Sequence, residues 1–121
     1  MKVVTLNDVK SEDVNAPLFT GGAVTRQTPF LPDDLTSLNF GVVSFGSGSR
    51  NKMHRHTSDQ ILIITEGTGI VATPGEEVTV NAGDVILIPA NEDHWHGAPG
   101  ATPMTHITVQ AKGSQTTQIE P

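Results

Sequence analysis

The chain has 121 residues, of which 36% are hydrophobic and 17% are charged; this fits one soluble globular domain and excludes disordered, fibrous and two-domain proteins. Its 13 acidic residues outnumber its 7 basic ones, and the formal net charge of −6 argues against a nucleic-acid surface. With no cysteine, the chain has neither a disulfide framework nor a thiolate zinc site.

No signal segment or membrane span is expected. The first ten residues, MKVVTLNDVK, contain no apolar signal core, and no apolar run reaches the roughly 18 residues that a membrane span needs. We therefore expect a cytoplasmic protein.

Short β-branched runs between turn residues predict a nearly all-β chain. Twelve glycines and eight prolines interrupt the sequence, and no segment keeps a helical apolar period over three turns. In the runs at 60–64 and 85–88 apolar residues follow one another, which predicts that both faces of these strands are buried. In chain order, the predicted strands are 39–45, 60–65, 69–73, 77–80, 85–88 and 106–109, with 3–6 and 22–25 as candidate edge strands.

This set of short strands predicts a jelly roll or barrel formed by a single domain, residues 1–121. The barrel core is expected at about residues 38–111. The polar residues 112–121 are expected to form a flexible tail. Residues 1–37 match no motif, and their place in the fold is left open.

All five histidines lie in three short stretches, at 54–56, 94–96 and 106. Alternate side chains of a strand share a face, so His54 is predicted to lie beside His56, and His94 beside His96. Two imidazoles on one face can bind one metal ion. A turn at 57–59 would bring Gln60 back near the first pair.

The two histidine segments resemble the two motifs of the cupin superfamily. GSRNKMHRHTSDQILIITEG is similar to Gly-x5-His-x-His-x3,4-Glu-x6-Gly, with Gln60 in place of the glutamate. GDVILIPANEDHWHG is similar to Gly-x5-Pro-x-Gly-x2-His-x3-Asn, with Asn91 in place of the glycine and Ala98 in place of the last asparagine. Asparagine best tolerates the left-handed backbone that glycine adopts. The resemblance implies a double-stranded β-helix, the cupin jelly-roll barrel.

The resemblance also implies one divalent transition metal ion in the barrel mouth. These donors suit manganese, iron, cobalt, nickel or zinc. A neutral glutamine ligand leaves the charge of the ion uncompensated, which favours Lewis-acid chemistry over dioxygen activation. The alternatives are that some of these histidines are ordinary strand residues and that the glutamine only forms hydrogen bonds. The implied ligands are His54, His56, Gln60 and His94.

His96, His106 and Gln110 are the candidate catalytic residues. His96 shares a strand face with His94. His106 shares a strand face with Gln110, and this face is predicted to point into the barrel. An imidazole with a pKa of about 6.5 beside a cation can act as a general acid or base. The alternative places His96 on the rim and His106 in the core.

Three segments narrow the resemblance. QILIITEGTG, GDVILIPANEDHWHGA and PMTHITVQ are similar to a small bacterial cupin group that includes manganese-dependent (R)-selective hydroxynitrile lyases. This likeness favours manganese and implies that His96 exchanges the hydroxyl proton of a cyanohydrin while His106 and Gln110 orient the nitrile. The candidate apolar wall around the substrate consists of Phe40, Val42 and Met104.

The predicted function is a metal-dependent lyase that cleaves or forms cyanohydrins. Two alternatives from other classes are a metal-dependent dioxygenase and a non-catalytic cupin that binds metal and a small ligand. The expected partner is a small-molecule substrate, with no nucleic acid and no membrane. Short cupins of this kind are typically homodimers, so the resemblance implies a homodimer.

Overall fold

The computed structural model describes all 121 residues, and its regular elements are strands and two short 3₁₀ helices, which confirms the predicted all-β class. The 3₁₀ helices, Leu6–Asp8 and Pro32–Asp34, fall far short of the length and apolar character of a membrane-crossing helix. The strands are β1 Glu12–Asp13, β2 Phe19–Thr20, β3 Val24–Gln27, β4 Leu38–Phe45, β5 Ser49–Asn51, β6 His54–His56, β7 Gln60–Thr73, β8 Glu76–Asn81, β9 Val85–Ile88, β10 Trp95–Ala98, β11 Met104–Ala111 and β12 Thr116–Gln118.

Ten of the strands form one curled antiparallel sheet in the order β1-β3-β4-β11-β7-β10-β5-β2, with β8 and β9 also paired to β7. β6 and β12 form a separate pair. The long strand β7 connects the two sides of the barrel, because residues 60–63 pair with β9 and residues 68–73 pair with β8.

Gly67 marks the bend in β7, where two separate strands were predicted. Its φ of +76° lies in the left-handed region, and a Cβ there would collide with the carbonyl oxygen of Pro103. The predicted strands 60–65 and 69–73 are therefore one bent strand.

The apolar core lies on the inner face of the barrel. Leu62, Ile64, Phe45 and Met104 are each at most 1% exposed, and burying a side chain of this size contributes roughly 1.5–3 kcal/mol. The Phe45 ring also lies 5.8 Å from the His96 ring and 5.5 Å from the His106 ring, between centroids. Core and histidines therefore share one interior.

The outer faces of β7 and β9 differ from the prediction. Both faces were expected to be buried, yet Ile61 is 40% exposed, Val85 66% and Leu87 63%. A single chain covers only the inner face of this antiparallel sheet, so the second apolar face stays in solvent. Leu87 lies directly opposite Ile61 in the β7–β9 pair, and the three side chains form a continuous outer strip.

Residues 1–37 extend the sheet of their own chain. β3 pairs with β4, β1 with β3, and β2 with β5. The predicted edge strand 22–25 overlaps β3, whereas residues 3–6 form no strand. The side-chain amide of Gln27 instead donates to the carbonyl oxygens of Leu6 and Val9, both at 3.0 Å, which holds this segment against the barrel.

The C-terminal residues also differ from the prediction of a flexible tail at 112–121. β12 pairs with β6, with Thr116 opposite His56 and Gln118 opposite His54. The Glu120 carboxylate then accepts hydrogen bonds from the Arg50 guanidinium at 3.0 and 2.8 Å. The edge of β6 needs hydrogen-bond partners, and this polar segment supplies them.

Replacing Glu120 with glutamine is expected to lower the free energy of unfolding at pH 7. This difference from wild type is expected to shrink as the pH falls. Hydrogen bonds from Arg50, and then from the Met53 amide, lower the pKa of Glu120 from 4.5 to about 2. The unfolded chain therefore takes up the proton first, and the stabilisation by this carboxylate is lost as the pH falls from 4.5 towards 2. Urea unfolding of both proteins across this range measures the difference. A Glu66→Gln variant removes an exposed carboxylate without an ion pair and is the matched control.

A difference between wild type and Glu120→Gln that stays constant down to the acid end of this range would contradict the role given to the Arg50–Glu120 contact.

Candidate metal centre

Three histidines converge at one point inside the barrel. His54 and His56 project from β6, and His94 lies just before β10; their candidate ligand nitrogens lie within 4.8 Å of one another, and all three residues are buried. Two backbone hydrogen bonds of 2.9 Å tie His54 directly to His94. The loop before His94 turns at Asn91, whose φ of +66° confirms its expected left-handed conformation.

Each of these imidazoles is held by its Nδ1 atom. His54 Nδ1 donates to the Lys52 carbonyl oxygen at 2.6 Å, and His94 Nδ1 donates to the Glu92 carbonyl oxygen at 2.9 Å. His56 Nδ1 lies 2.8 Å from Thr116 Oγ1. This leaves the Nε2 lone pairs of His54 and His94 free, and His56 Nε2 is a buried atom without a partner.

Gln60 adds an oxygen to this group. Its Nε2 donates to Thr108 Oγ1 at 2.9 Å, and its Oε1 lies 3.1 Å from His94 Nε2. Since His94 carries its proton on Nδ1, two lone pairs face each other across this gap. A shared cation turns that repulsion into attraction, so the donor set fits a divalent transition metal ion. We call His54, His56, Gln60 and His94 the metal centre.

The centre is electrically neutral at pH 7. Burial, with smaller contributions from neighbouring imidazoles, lowers the pKa of His54 to about 3 and of His56 to about 4. Burial also lowers the pKa of His94. Neutral imidazole is the form that binds a metal ion, so these histidines are ready to bind one at neutral pH.

His96 and His106, which we call the histidine pair, lie beside the centre. Asn51 Oδ1 accepts a hydrogen bond from the His96 backbone N–H at 2.8 Å, which turns the Asn51 amide nitrogen towards His96 Nε2 at 3.2 Å. His96 therefore carries its proton on Nδ1 and donates it to His106 Nε2 at 3.0 Å. His106 Nδ1 then bears the remaining proton; it is buried and has no partner.

One cavity of about 200 Å³ is bordered by the histidine pair, by Gln110, and by His54, His56 and Gln60 of the metal centre. The expected apolar wall is different. Phe40 and Val42 do not line this cavity, because β4 turns the neighbouring residues, Val43 and Phe45, inward. Met104 lies in the core instead. The apolar residues that line the cavity are Leu18, Phe19, Val43 and Phe45.

Three polar partners of the site were missed by sequence reasoning. Asn51 has a weak signal, because asparagine is uncommon in a buried strand. Strand alternation places Thr108 on the face of His106 and Gln110, but its hydrogen bond with Gln60 depends on the pairing of β7 with β11. Thr116 has no signal in the sequence, since it lies in the segment expected to be flexible.

Comparison with known proteins agrees with this geometry. The Cupin domain family model matches residues 41–110. An (R)-mandelonitrile lyase from Granulicella tundricola is 39% identical over 98 residues, which cover 80% of this chain and 74% of that protein. An acireductone dioxygenase from Leptospira biflexa is 34% identical over 97 residues, and the chain spans 55% of its length.

A solved structure gives the same result for the fold. The crystal structure of a cupin-like protein from Thermotoga maritima matches with a TM-score of 0.80 at 28% identity, covering 89% of this chain and 84% of that one. The likeness confirms the predicted jelly-roll barrel.

Proposed function

Because the chain belongs to the cupin domain family, we propose that it is a metal-dependent lyase that cleaves or forms cyanohydrins, with manganese as its ion. The observation that carries this proposal is that the histidine pair lines the same cavity as His54, His56 and Gln60 of the metal centre. The mandelonitrile lyase relative supports the reaction class. A bound divalent ion would supply Lewis-acid chemistry, lowering the pKa of a hydroxyl oxygen.

The histidine pair would handle the proton. Burial lowers the pKa of His106 to about 4 and that of His96 well below its ordinary value. Both are therefore neutral at pH 7, and both are weaker bases than the imidazole of ordinary pKa that the sequence led us to expect. His96 would take the hydroxyl proton on Nε2, and the Asn51 amide, which donates to that atom in the free protein, would have to give way to the substrate hydroxyl. The electrons of that O–H bond form the aldehyde carbonyl, and the carbon–carbon bond breaks to release cyanide.

His106 would orient the nitrile. Its Nδ1–H is buried and without a protein partner, and a nitrile nitrogen is an acceptor of the right polarity. Gln110 also lines the cavity and would limit the orientations of the substrate by contact.

The test is benzaldehyde release from mandelonitrile. Manganese-loaded protein is expected to release benzaldehyde well above the rate of chelator-stripped protein, and reloading is expected to restore the rate. Mildly acidic buffer keeps the spontaneous breakdown low, and free manganese in buffer is the control. No release from protein shown by elemental analysis to hold manganese would rule out the lyase.

A dioxygenase is the second candidate, favoured by the similarity to acireductone dioxygenase. The neutral Gln60 opposes it, since an uncompensated charge makes oxidation of the ion harder. Oxygen consumption by iron-loaded protein with an enediol or diketone substrate would establish it in place of the lyase.

We also propose that two copies pack through the outer strip of Ile61, Val85 and Leu87. An exposed apolar strip of this kind is typical of an interface. Light scattering is expected to give twice the chain mass of 12.8 kDa, and Leu87→Lys is expected to give the single mass. Val3→Lys, at an 85% exposed apolar residue elsewhere, is the control. A wild-type monomer would contradict the proposal.

A further inference from the structure

Arg26 is the only charged side chain that lines the cavity of the metal centre. It lies on β3 opposite Val43, which also lines the cavity, so the strand register turns Arg26 to the inner face. It forms neither an ion pair nor a side-chain hydrogen bond, whereas Arg50 and Arg55 contact carboxylates at 2.8 and 2.7 Å. Arg26 is an exposed residue of β3, so its guanidinium lies at the mouth of the cavity, where it is free to meet an anion that enters.

Gly41 makes room for this guanidinium. A Cβ at Gly41 would lie 2.5 Å from Arg26 Nη2, 2.8 Å from Cζ and 2.9 Å from Nε, so the guanidinium rests against the glycine. The φ of Gly41 is not positive, and the backbone therefore does not require glycine there. A methyl group at this position would displace the guanidinium, which is the flexible end of the Arg26 side chain.

The position of Gly41 relates the guanidinium to the metal centre. Gly41 lies opposite Thr108 in the β4–β11 pair, and Thr108 accepts the hydrogen bond from Gln60. Arg26 thus lies along the wall that holds one of the four ligands. Its charge is also among the factors that lower the pKa of His106, as expected of a cation near the histidine pair.

The charges around the cavity favour an anion. No aspartate or glutamate lines it, and the histidines there are neutral. Because the four ligands are neutral, a divalent ion would add to the positive potential of Arg26. The planar fork of a guanidinium matches a carboxylate, which can accept two hydrogen bonds from it.

We propose that Arg26 binds a carboxylate carried by the substrate, so that the cavity favours a hydroxy acid or a carboxylate-bearing cyanohydrin over a neutral molecule of the same shape. Mandelonitrile, which is neutral, is then expected to be cleaved with a higher KM than a cyanohydrin that bears a carboxylate. This inference rests on the proposed function in taking the cavity as the substrate site. It names the substrate class and a specificity-determining residue.

The experiment compares two ligands that differ in charge. Mandelate and mandelamide share the ring and the hydroxyl, and only mandelate carries a carboxylate. Calorimetric titration of the manganese-loaded protein is expected to show that Arg26→Gln weakens mandelate binding about tenfold or more and changes mandelamide binding less than about twofold. Mandelate can also chelate the ion. The test therefore uses the difference in mandelate affinity between wild type and variant, and not the absolute affinity.

Two further variants separate the effect of the position of the guanidinium from the effect of its charge. Gly41→Ala keeps Arg26 but places a methyl group where the guanidinium rests, and it is expected to weaken mandelate binding too. Lys10→Gln removes the same charge at an exposed residue away from the cavity and is expected to change neither affinity. Metal content and thermal unfolding of each variant show whether the barrel is intact.

Equal mandelate affinities in wild type, Arg26→Gln and Gly41→Ala would overturn the proposal. The titration needs no turnover, so its outcome is separate from that of the lyase test. If mandelonitrile is not cleaved but mandelate binding depends on Arg26, the lyase fails and the carboxylate site stands. If mandelonitrile is cleaved and Arg26→Gln binds mandelate normally, the lyase stands and the carboxylate site fails.

Discussion

Replacing His94 with alanine is expected to lower manganese affinity by at least about 100-fold, since loss of even an outer partner of a ligand commonly costs 10–100-fold. Three properties make His94 decisive. It is fully buried, its Nδ1 is fixed by the Glu92 carbonyl, and its Nε2 lies 3.1 Å from Gln60 Oε1. Competition with a fluorescent chelator measures the affinity, and metal-dependent benzaldehyde release is expected to disappear with the ion.

Thr116→Val is the matched variant for this experiment. It keeps every atom of the metal centre and removes only the hydroxyl beside His56 Nδ1. We expect an intermediate loss of affinity, about 10–100-fold. The backbone bonds between residues 54 and 94 survive in His94→Ala, so a folded variant is expected; if it held manganese as tightly as wild type, His94 would not be a ligand.

Replacing His96 with alanine is expected to leave manganese bound and to lower the rate of cyanohydrin cleavage by about 10²–10⁴-fold, the usual contribution of a general acid or base. His96 is outside the metal centre, but its Nδ1 lies 3.0 Å from His106 Nε2 in the same cavity. Its removal would delete the proton acceptor and leave the Asn51 amide without its partner. Metal content and initial rate are measured on the same preparation.

His96 is 3% exposed, so alanine leaves a hole, and His96→Gln, which retains more volume, separates chemistry from packing. We expect a low rate in both variants. Asn51→Ala keeps both imidazoles and removes only the orienting amide, for which a smaller loss is expected. A wild-type rate in His96→Ala would eliminate His96 as the proton acceptor.

The spacing of the histidines predicted much of this site because strand geometry has a fixed period. His54 and His56 share a face in the structure, as two-residue alternation requires, and the return of Gln60 follows from a short turn. The same alternation could not say which apolar residues of β4 face inward. The inward face depends on the register of β4 with β11, and in the structure Val43, not Val42, points towards the cavity.

Long-range pairing accounts for what the sequence did not reveal. Arg26 and Gly41 meet only because β3 and β4 pair in one register, which no local pattern encodes. The prediction that both faces are buried at 60–64 and 85–88 was wrong. Apolar content alone does not say whether the second face of a strand is covered by the same chain. Polarity likewise suggested a frayed C-terminal segment, although backbone pairing with β6 needs no apolar side chain.

The pairing of β12 with β6 also means that the metal centre is completed late in synthesis of the chain. Thr116 is synthesised 60 residues after His56, whose ring it contacts. Until then one edge of the strand carrying two ligands is uncovered, and the His56 ring lacks its contact with the Thr116 hydroxyl. A chain truncated after residue 111 tests the point, because manganese is expected to dissociate from it faster than from the full chain. The barrel is therefore expected to hold a metal ion only weakly until β12 has paired with β6.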